Sequence, residues 1–306
     1  MGRFGIKKIL KEKKIENIIN SVPEWIGKSC TIKSMNHGMT NRNYKVIVDN
    51  EAFFLSILTP DSNLLNIDST NKYYNNNICG EIGISPKVVY YIKSERILVT
   101  EFIKNKSLLI KPFQDSKSLS ELVIVIKLLH AAKPFFKNFN MFSYIDHFIR
   151  TFKKRDFPKL LSPILNNITI LGQKLALYRD HLVPCHNDIV ADNIIDNGKK
   201  IFLIDFDYSG NNDPCFELGN LIVEMGYNDN QINELVNNYF GQVQEHIISR
   251  VYLQSIASDL GWSLWGFVQA KISNLNYDFK QYAIKRLKRV MNKMDSVEYE
   301  LWLKNI

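Results

Sequence analysis

The strongest chemical signal in the chain is a pair of acidic segments in its second half. The first reads CHNDIVADN and covers residues 185–193, and the second reads IFLIDFD and covers residues 201–207. Moving a phosphoryl group from a nucleotide to a hydroxyl requires a carboxylate near the attacking hydroxyl and oxygen ligands for the Mg²⁺ on the phosphates. The two segments offer both kinds of group, and they predict a phosphotransfer site.

The spacing assigns a catalytic role to four of these side chains. Asp188 is the predicted base, and Asn193, five residues later, is predicted to offer its amide oxygen to Mg²⁺. Asp205 is the predicted principal Mg²⁺ ligand, because it ends a buried apolar strand that holds a carboxylate rigidly. Side chains alternate along an extended chain, so Asp207 lies on the same side and is predicted to reach a second metal or its waters.

Other polar residues of this region have a simpler interpretation. Aspartate and asparagine in loops are usually turn formers or helix caps, and we expect Asn197 and Gly198 to form a hairpin turn between two short strands. We interpret His186 as a structural anchor of the loop rather than as an acid or base. Turn formation explains any one of the predicted catalytic residues, but it does not explain their joint spacing.

The hydrophobic pattern places these segments within a two-part chain. A chain of 306 residues suits two lobes that share a cleft, because single cores stop growing at about 250–300 residues. We predict an α+β fold with a small antiparallel-sheet lobe at 1–103, a large and mostly helical lobe at 104–306, and the active site between them.

Each lobe has its own predicted elements. After a predicted helix at 7–19, the small lobe has predicted strands at 31–33, 44–49, 52–58, 87–92 and 96–101 and a helix at 68–81. The predicted helices of the large lobe are 119–130, 144–152, 164–179, 231–239, 246–272 and 278–294. The acidic segments interrupt this helical pattern as a short strand-rich island.

The composition excludes several other classes of protein. Hydrophobic residues make up 45% of the chain, which is enough for a packed core. The four cysteines form no C-x-x-C pair, so neither a zinc site nor a disulfide framework is predicted, and a reducing cytosol fits best. No apolar stretch is long enough for a transmembrane helix. The net charge of +8 comes without an arginine-rich tract, so no nucleic-acid partner is expected.

Beyond these patterns, the chain resembles a known family. Segments 185–193 and 201–207 resemble the Brenner and metal-binding motifs that aminoglycoside phosphotransferases share with choline/ethanolamine kinases. The stretch DFDYSGNNDPCFELGNLIVE at 205–224 is similar to the choline kinase signature, which has an acidic-aromatic pair, a small-residue turn and an F-[DE]-x-G-N helix ending in glutamate. The stretch at 262–283 resembles the choline kinase helix that carries W-x-x-W and Q-A-x-x-S.

Weaker likeness extends upstream through VPEWIGK at 22–28 and HGMTNRNY at 37–44, so the resemblance spans most of the chain. Within this family, the chain resembles the bacterial choline kinases. The resemblance implies a bilobal protein-kinase-like fold, with ATP and Mg²⁺ as cofactors.

The resemblance also implies choline as the acceptor. Choline is a permanent cation whose nitrogen has no hydrogen-bond donor, so proteins hold it with aromatic faces and a nearby carboxylate. Trp262 and Trp265 lie three residues apart and share one face of a helix. The family pattern adds three residues to the same pocket: Tyr282, Glu224 and the less closely aligned Tyr227. Without the family context, two tryptophans at this spacing more often pack in a core.

One part of the family pattern is missing from the predicted small lobe. Kinases normally carry a Lys or Arg on the third strand, which contacts the phosphates and pairs with a Glu on the next helix. Here Ser56 stands at the strand position, and Thr70 and Lys72 stand where the Glu is expected. We predict that Lys72 reaches the phosphates from the helix. The other predicted nucleotide contacts are Gly38, Thr40 and Asn41 in one loop and Glu101 at the end of the last strand.

Two alternatives remain open on this evidence. The first is a kinase for another small alcohol or amine, such as ethanolamine, thiamine or an aminoglycoside. Ethanolamine favours more carboxylates and an aminoglycoside favours an acidic C-terminal cleft, and neither is evident at 262–285. The second is a catalytically inactive pseudokinase that binds a ligand or partner, which Ser56 suggests and the intact Asp188, Asn193 and Asp205 oppose.

Overall fold

The computed structural model describes residue 19 and residues 22–35, 38–105, 113–152, 159–177 and 181–306. The predicted helix at 7–19 lies outside this part of the chain, apart from its last residue. The chain divides into two compact units: one consists of Met1–Thr59 and Val88–Phe102, and the other of Pro60–Lys87 and Ile103–Ile306. The second unit therefore includes segment 60–87, which the sequence-based division had grouped with the small lobe.

The first unit is built on a five-stranded antiparallel sheet. Its strands are β1 (Cys30–Met35), β2 (Asn41–Val48), β3 (Glu51–Leu58), β4 (Val88–Ile92) and β5 (Ile97–Glu101), in the order β1-β2-β3-β5-β4. Asp49 and Asn50 form the β2–β3 turn with positive φ angles of 51° and 156°, which suits short polar side chains. Val46, Leu55 and Val99 are fully buried in the core of this unit. The predicted antiparallel sheet is confirmed.

The second unit is mostly helical. Its helices are α1 (Ser69–Glu81), α2 (Ser116–His130), α3 (Met141–Thr151), α4 (Leu165–Ala176), α5 (Pro214–Met225), α6 (Asp229–Phe240), α7 (Glu245–Ile272), α8 (Phe279–Met294) and α9 (Val297–Asn305). All six helices predicted for the large lobe are present, with ends that shift by up to three residues. Among the described residues, no helix combines the length and the apolar character needed to cross a bilayer.

Helix α7 lies at the centre of the helical unit. It packs against α3, α5, α8 and α9, and it is buried over most of its 28 residues. A helix buried on every face needs partners on every face, and several buried polar residues of α7 find them on the neighbouring helices. Ser258, for example, donates a hydrogen bond to Asn220 of α5 at 2.8 Å.

Two small sheets in the helical unit position the predicted catalytic residues. Strand β6 (Val183–Cys185) pairs with β9 (Gly210–Asn212), and β7 (Ile194–Asp196) pairs with β8 (Ile201–Leu203) as a hairpin. The predicted turn is present, because Asn197 Oδ1 accepts hydrogen bonds from the main-chain N–H groups of Lys199 and Lys200 at 2.9 and 3.0 Å. Asp188 therefore follows one strand and Asp205 follows another, and both sit on short, rigid connections.

Candidate active site

The loop that carries the predicted base is held by an asparagine in a left-handed conformation. Asn187 has a φ of 66°. Its Nδ2 donates to Tyr208 O at 3.0 Å, and its Oδ1 accepts from Asn212 Nδ2 at 2.8 Å. These two buried contacts tie the loop to the segment leading into β9 and to β9 itself, and they fix the turn that presents Asp188.

His186 holds the same loop through contacts at both of its ring nitrogens. Its Nε2 lies 2.8 Å from Ile204 O, and the main-chain N–H of Asp188 lies 3.3 Å from its Nδ1. A neutral ring protonated on Nε2 satisfies both contacts, because Nε2 then donates and Nδ1 accepts. Burial lowers the pKa of His186, which favours the same neutral form. This environment fits a structural anchor.

A buried glutamate on α5 holds the main chain of the same loop. Glu217 is 0% exposed, and its two carboxylate oxygens accept hydrogen bonds from the main-chain N–H groups of His186 and Asn187 at 2.5 and 2.8 Å. Hydrogen bonds to a carboxylate are stronger than those between neutral groups. The sequence analysis did not assign a role to Glu217, although it is the acidic residue of the F-E-L-G-N stretch noted above.

The predicted base lies next to the predicted metal ligand of the same loop. Asn193 Nδ2 donates to Asp188 O at 2.9 Å and lies 3.4 Å from Asp188 Oδ2. Burial, followed by the negative charges of Glu224 and Asp205, raises the pKa of Asp188 well above its usual value. A carboxylate with a raised pKa is a better proton acceptor than an ordinary surface aspartate.

The oxygen donors at this site suit a magnesium ion. Because Asn193 Nδ2 donates to Asp188, its Oδ1 remains as the atom that can bind a metal. Asp205 lies just beyond β8 with a φ of 64°, and its side chain is 30% exposed. Mg²⁺ prefers carboxylate and amide oxygens and keeps several of its waters. Asn193 and Asp205 therefore have the chemistry and, at Asp205, the access that this ion requires.

Lys72 of α1 makes ion pairs with both acidic residues of the DFD segment. Its Nζ lies 3.2 Å from Asp205 Oδ1 and also contacts Asp207 Oδ1. Burial acts to lower the pKa of Lys72, but the charges of Asp207 and Asp205 outweigh it, and the net effect is a raised pKa. Lys72 is the cation that the sequence places on this helix, and its ammonium group lies against Asp205 and Asp207.

Four aromatic rings form a cluster beside the DFD segment. Trp262 meets Tyr208 and Trp265 edge to face, with ring centroids 4.9 and 6.3 Å apart, and Trp265 meets Tyr282 in the same way at 5.9 Å. Tyr208 was not among the predicted residues, although it directly follows the DFD motif. Burial, and to a smaller extent the charges of Asp207 and Asp188, raise its pKa well above the usual value.

Tyr208 Oη and Trp265 Nε1 are buried in this cluster and make no hydrogen bond of good geometry in the described part of the chain, although a weak hydrogen bond from Trp265 acts to lower the pKa of Tyr208. The other indole, Trp262 Nε1, donates to Asn220 Oδ1 at 2.9 Å. Buried donors are rarely left unpaired in proteins. The weak contact between Trp265 and Tyr208 is consistent with this rule.

The carboxylate predicted to face the substrate cation is paired within the protein. Glu224 Oε1 contacts Arg286 Nη2, and Arg286 Nη1 lies 3.1 Å from Asp259 Oδ1. The guanidinium carbon of Arg286 also lies 4.6 Å from the centroid of the Tyr282 ring. Glu224 and Tyr282 thus both contact Arg286, and their predicted contacts with the substrate stay predictions.

Tyr227 lies elsewhere. It belongs to the hydrophobic core formed by α2, α5 and α6, and its hydroxyl donates to Phe113 O at 2.7 Å. Its predicted contact with the substrate stays a prediction.

The predicted nucleotide residues other than Lys72 belong to the first unit. Gly38 has a φ of 105°, and a Cβ there would lie 2.5 Å from Asn43 Nδ2, so glycine is required. Thr40 O accepts a hydrogen bond from Thr59 Oγ1 at 3.1 Å, and Asn41 begins β2. Glu101 ends β5 and is exposed. Ser56 is buried in β3 at 3% exposure, so the third strand carries no cation at this position.

Comparisons with known proteins give the same family that the sequence motifs indicate. The sequence model for choline/ethanolamine kinase matches residues 32–240. Protein LicA of Haemophilus influenzae is 26% identical over 266 residues, which covers 82% of this chain and 76% of the relative. Human ethanolamine kinase 2 is 24% identical over 306 residues, with 86% and 76% covered.

Solved structures show the same architecture. A choline/ethanolamine kinase family protein from Mesorhizobium loti superposes with a TM-score of 0.80 at 25% identity and covers 96% of this chain and 98% of its own. Choline kinase LicA from Streptococcus pneumoniae superposes with a TM-score of 0.78 at 22% identity, with 92% and 98% covered. The predicted α+β, protein-kinase-like fold is confirmed.

Proposed function

The chain belongs to the choline/ethanolamine kinase family, and we propose that the alcohol it phosphorylates, at the expense of ATP, is choline. The predictions of a kinase and of this family are confirmed. The choice of choline is supported chiefly by one observation, the edge-to-face cluster of Tyr208, Trp262, Trp265 and Tyr282 within electrostatic reach of Asp188.

The charge pairing around this cluster favours choline over ethanolamine. A primary ammonium needs hydrogen-bond acceptors, whereas a trimethylammonium group has no N–H and is held by aromatic faces. The carboxylate of Glu224 is paired with Arg286 through Oε1, so part of its charge is already balanced within the protein. The aromatic rings suit the quaternary cation, and Trp262 and Trp265 are its proposed main contacts.

We assign the reacting groups as follows. Asp188 accepts the proton of the choline hydroxyl as the hydroxyl oxygen attacks the γ-phosphorus of ATP, and ADP leaves. His186, Asn187 and Glu217 hold the main chain of this loop, so Asp188 meets the hydroxyl in a fixed position.

The metal and nucleotide assignments complete the site. Asn193 and Asp205 are the proposed Mg²⁺ ligands, and Mg²⁺ bound there neutralises charge on the phosphate oxygens. Gly38, Thr40, Asn41 and Glu101 are the proposed nucleotide contacts of the first unit. Lys72 supplies the cation that kinases usually place on the third strand, where this chain has Ser56.

The test is a coupled assay of ADP release with Mg-ATP and either choline or ethanolamine. We expect turnover with choline at a kcat/KM at least tenfold above that for ethanolamine. Higher kcat/KM with ethanolamine contradicts the assignment and favours the activity named for the human relative.

A matched pair of tryptophan variants tests the aromatic site. One cation–π contact contributes about 0.5–2 kcal/mol, so Trp265→Leu should raise the KM for choline by roughly 2- to 30-fold and leave the KM for ATP unchanged. Trp302→Leu is the control, because Trp302 stacks on Tyr252 at 4.5 Å and makes no ring contact with the cluster. An equal effect of both variants on the choline KM contradicts the proposed site.

A further inference from the structure

We infer that Lys72 takes the place of a second metal ion on Asp207, so that the enzyme binds one divalent cation in the presence of nucleotide rather than two. This inference rests on the proposed metal site at Asn193 and Asp205. Protein kinases hold two Mg²⁺ ions at the corresponding aspartate and asparagine. In this chain, an ammonium group contacts both acidic residues of the DFD segment.

The first supporting observation is that the helix carrying Lys72 is hydrogen-bonded to the acidic segment. Its neighbours on α1 bind the residue that follows the DFDY stretch: Asn71 Nδ2 donates to Ser209 O and Asn75 Nδ2 donates to Ser209 Oγ, each at 2.8 Å. Ser209 Oγ in turn donates to Phe206 O at 2.7 Å. The helix is therefore fixed to the acidic segment on both sides of the lysine, which keeps the main chain of Lys72 next to Asp205 and Asp207.

The second observation is that Asp207 is much less accessible than Asp205. The side chains of Lys72 and Asp207 are 5% and 4% exposed, whereas that of Asp205 is 30% exposed. Mg²⁺ requires about six oxygen ligands and usually keeps several waters. Asp205 can offer an oxygen to such an ion, whereas the side chain of Asp207 is almost entirely buried and is already paired with Lys72.

The third observation is the paired departure of two residues from the kinase pattern. The usual arrangement has a cation on the third strand and an acid on the following helix. Ser56 removes the cation, and Lys72 reverses the charge on the helix. One role for Lys72 accounts for both changes. Its positive charge pairs with Asp205 and Asp207, and it also keeps a cation at the site although the third strand has none.

The inference is tested by counting bound Mn²⁺, as a probe for Mg²⁺, by electron paramagnetic resonance with saturating AMP-PNP. We expect one Mn²⁺ per chain in the wild type and none after Asp205→Asn. The Asp207→Asn variant should still bind one Mn²⁺, because the carboxylate that it lacks pairs with Lys72 rather than with a metal ion. Lys72→Met should bind a second Mn²⁺, or bind the first at least tenfold more tightly.

Lys137→Met is the matched control. Lys137 lines the same polar pocket as Asp207 but pairs with Asp68, so this change removes an equal charge without freeing either acidic residue, and the count should stay at one. Two Mn²⁺ ions in the wild type, or the loss of one ion in Asp207→Asn, overturns the inference. Because no acceptor is present, the ion count is independent of turnover, so a failed choline assay and a failed ion count are distinguishable.

Discussion

The side-chain amide of Asn193 donates a hydrogen bond to the main-chain oxygen of Asp188 at 2.9 Å. This contact orients the amide, because the nitrogen is used within the loop and the oxygen remains for a metal. One asparagine therefore couples the position of the base to the position of the proposed metal. The spacing of five residues between the two is what brings them into contact.

Replacing the base should slow turnover strongly without disturbing the loop. Asp188→Asn keeps the main-chain oxygen that accepts from Asn193, so the fold should be retained, but the side chain no longer accepts a proton. General base catalysis contributes about 10²- to 10⁴-fold, and we expect kcat to fall by that factor with little change in the KM for ATP. Steady-state kinetics with choline checks this, and a kcat within threefold of the wild type contradicts the assignment of the base.

Glu217 should contribute to both stability and rate. In Glu217→Gln, one of the two main-chain N–H groups faces an NH₂ group that cannot accept its hydrogen bond. A buried donor left unpaired costs about 1–3 kcal/mol. We expect the free energy of unfolding in urea to fall by that amount and kcat to fall more than the KM for choline rises. Glu245→Gln is the control, because Glu245 is exposed and binds only Asn305 among the described residues; equal losses in both variants contradict a special role for Glu217.

The local parts of the site were predictable from sequence, whereas its long-range contacts were not. Asp188, Asn193 and Asp205 lie within one short region, so spacing and strand pattern were sufficient to predict the strands and loops that carry them, while their catalytic roles stay predictions. The pairing of Lys72 with Asp207 joins residues 135 positions apart, and nothing in the local pattern specifies such a contact. The sequence alone shows a lysine at position 72 where the kinase pattern has a glutamate. Only the fold, however, brings this lysine to the DFD segment.

The misses also have physical causes. The ion pair of Glu224 with Arg286 was not predicted, because Arg286 lies 62 positions away on α8 and charge pairing across helices has no local sequence signal. Helix α5 is almost entirely buried, so it lacks the polar face that reveals a helix by periodicity. It was indicated only by the family resemblance. Tyr208 was overlooked because a single aromatic residue after an acidic motif more often packs in a core.

The packing of α5 on α7 should be sensitive to a single methyl group. A Cβ at Gly219 would lie 2.7 Å from Ser255 N and 2.9 Å from Val251 O. Both contacts are to the backbone of α7, which cannot move aside as a side chain can. Overpacking costs about 1–3 kcal/mol and occasionally more, so we expect Gly219→Ala to lower the thermal midpoint by several degrees.

Gly172→Ala in α4 is the matched control for this prediction. A Cβ there would meet only the ring of Phe142, at 3.1 Å, and a ring can rotate. Alanine also has a higher helix propensity than glycine by about 1 kcal/mol, so this variant should be near neutral or stabilised. A thermal midpoint of Gly219→Ala that matches the wild type contradicts the close helix contact.

His186 should remain neutral when the pH falls below the usual histidine range. Its Nδ1 accepts from the main-chain N–H of Asp188, and its Nε2 lies 2.8 Å from Ile204 O, so a second proton on Nδ1 would break the first contact. Burial lowers the pKa of His186 in the folded protein. The unfolded chain takes up a proton near pH 6.5, the value of a free histidine, which is about where its pKa lies.

The sign of the pH effect follows from this difference. Below about pH 6.5 the unfolded state binds a proton that the folded state does not, so His186 makes the free energy of unfolding fall as the pH falls. The stabilisation is fully present above that pH and is lost progressively toward the lower folded pKa. The Cε1–H resonance of His186, identified by its absence in His186→Gln, should keep its neutral-state shift through pH 6.5 in the folded protein and titrate there in urea. A folded-state midpoint at or above pH 6.5 contradicts the neutral anchor.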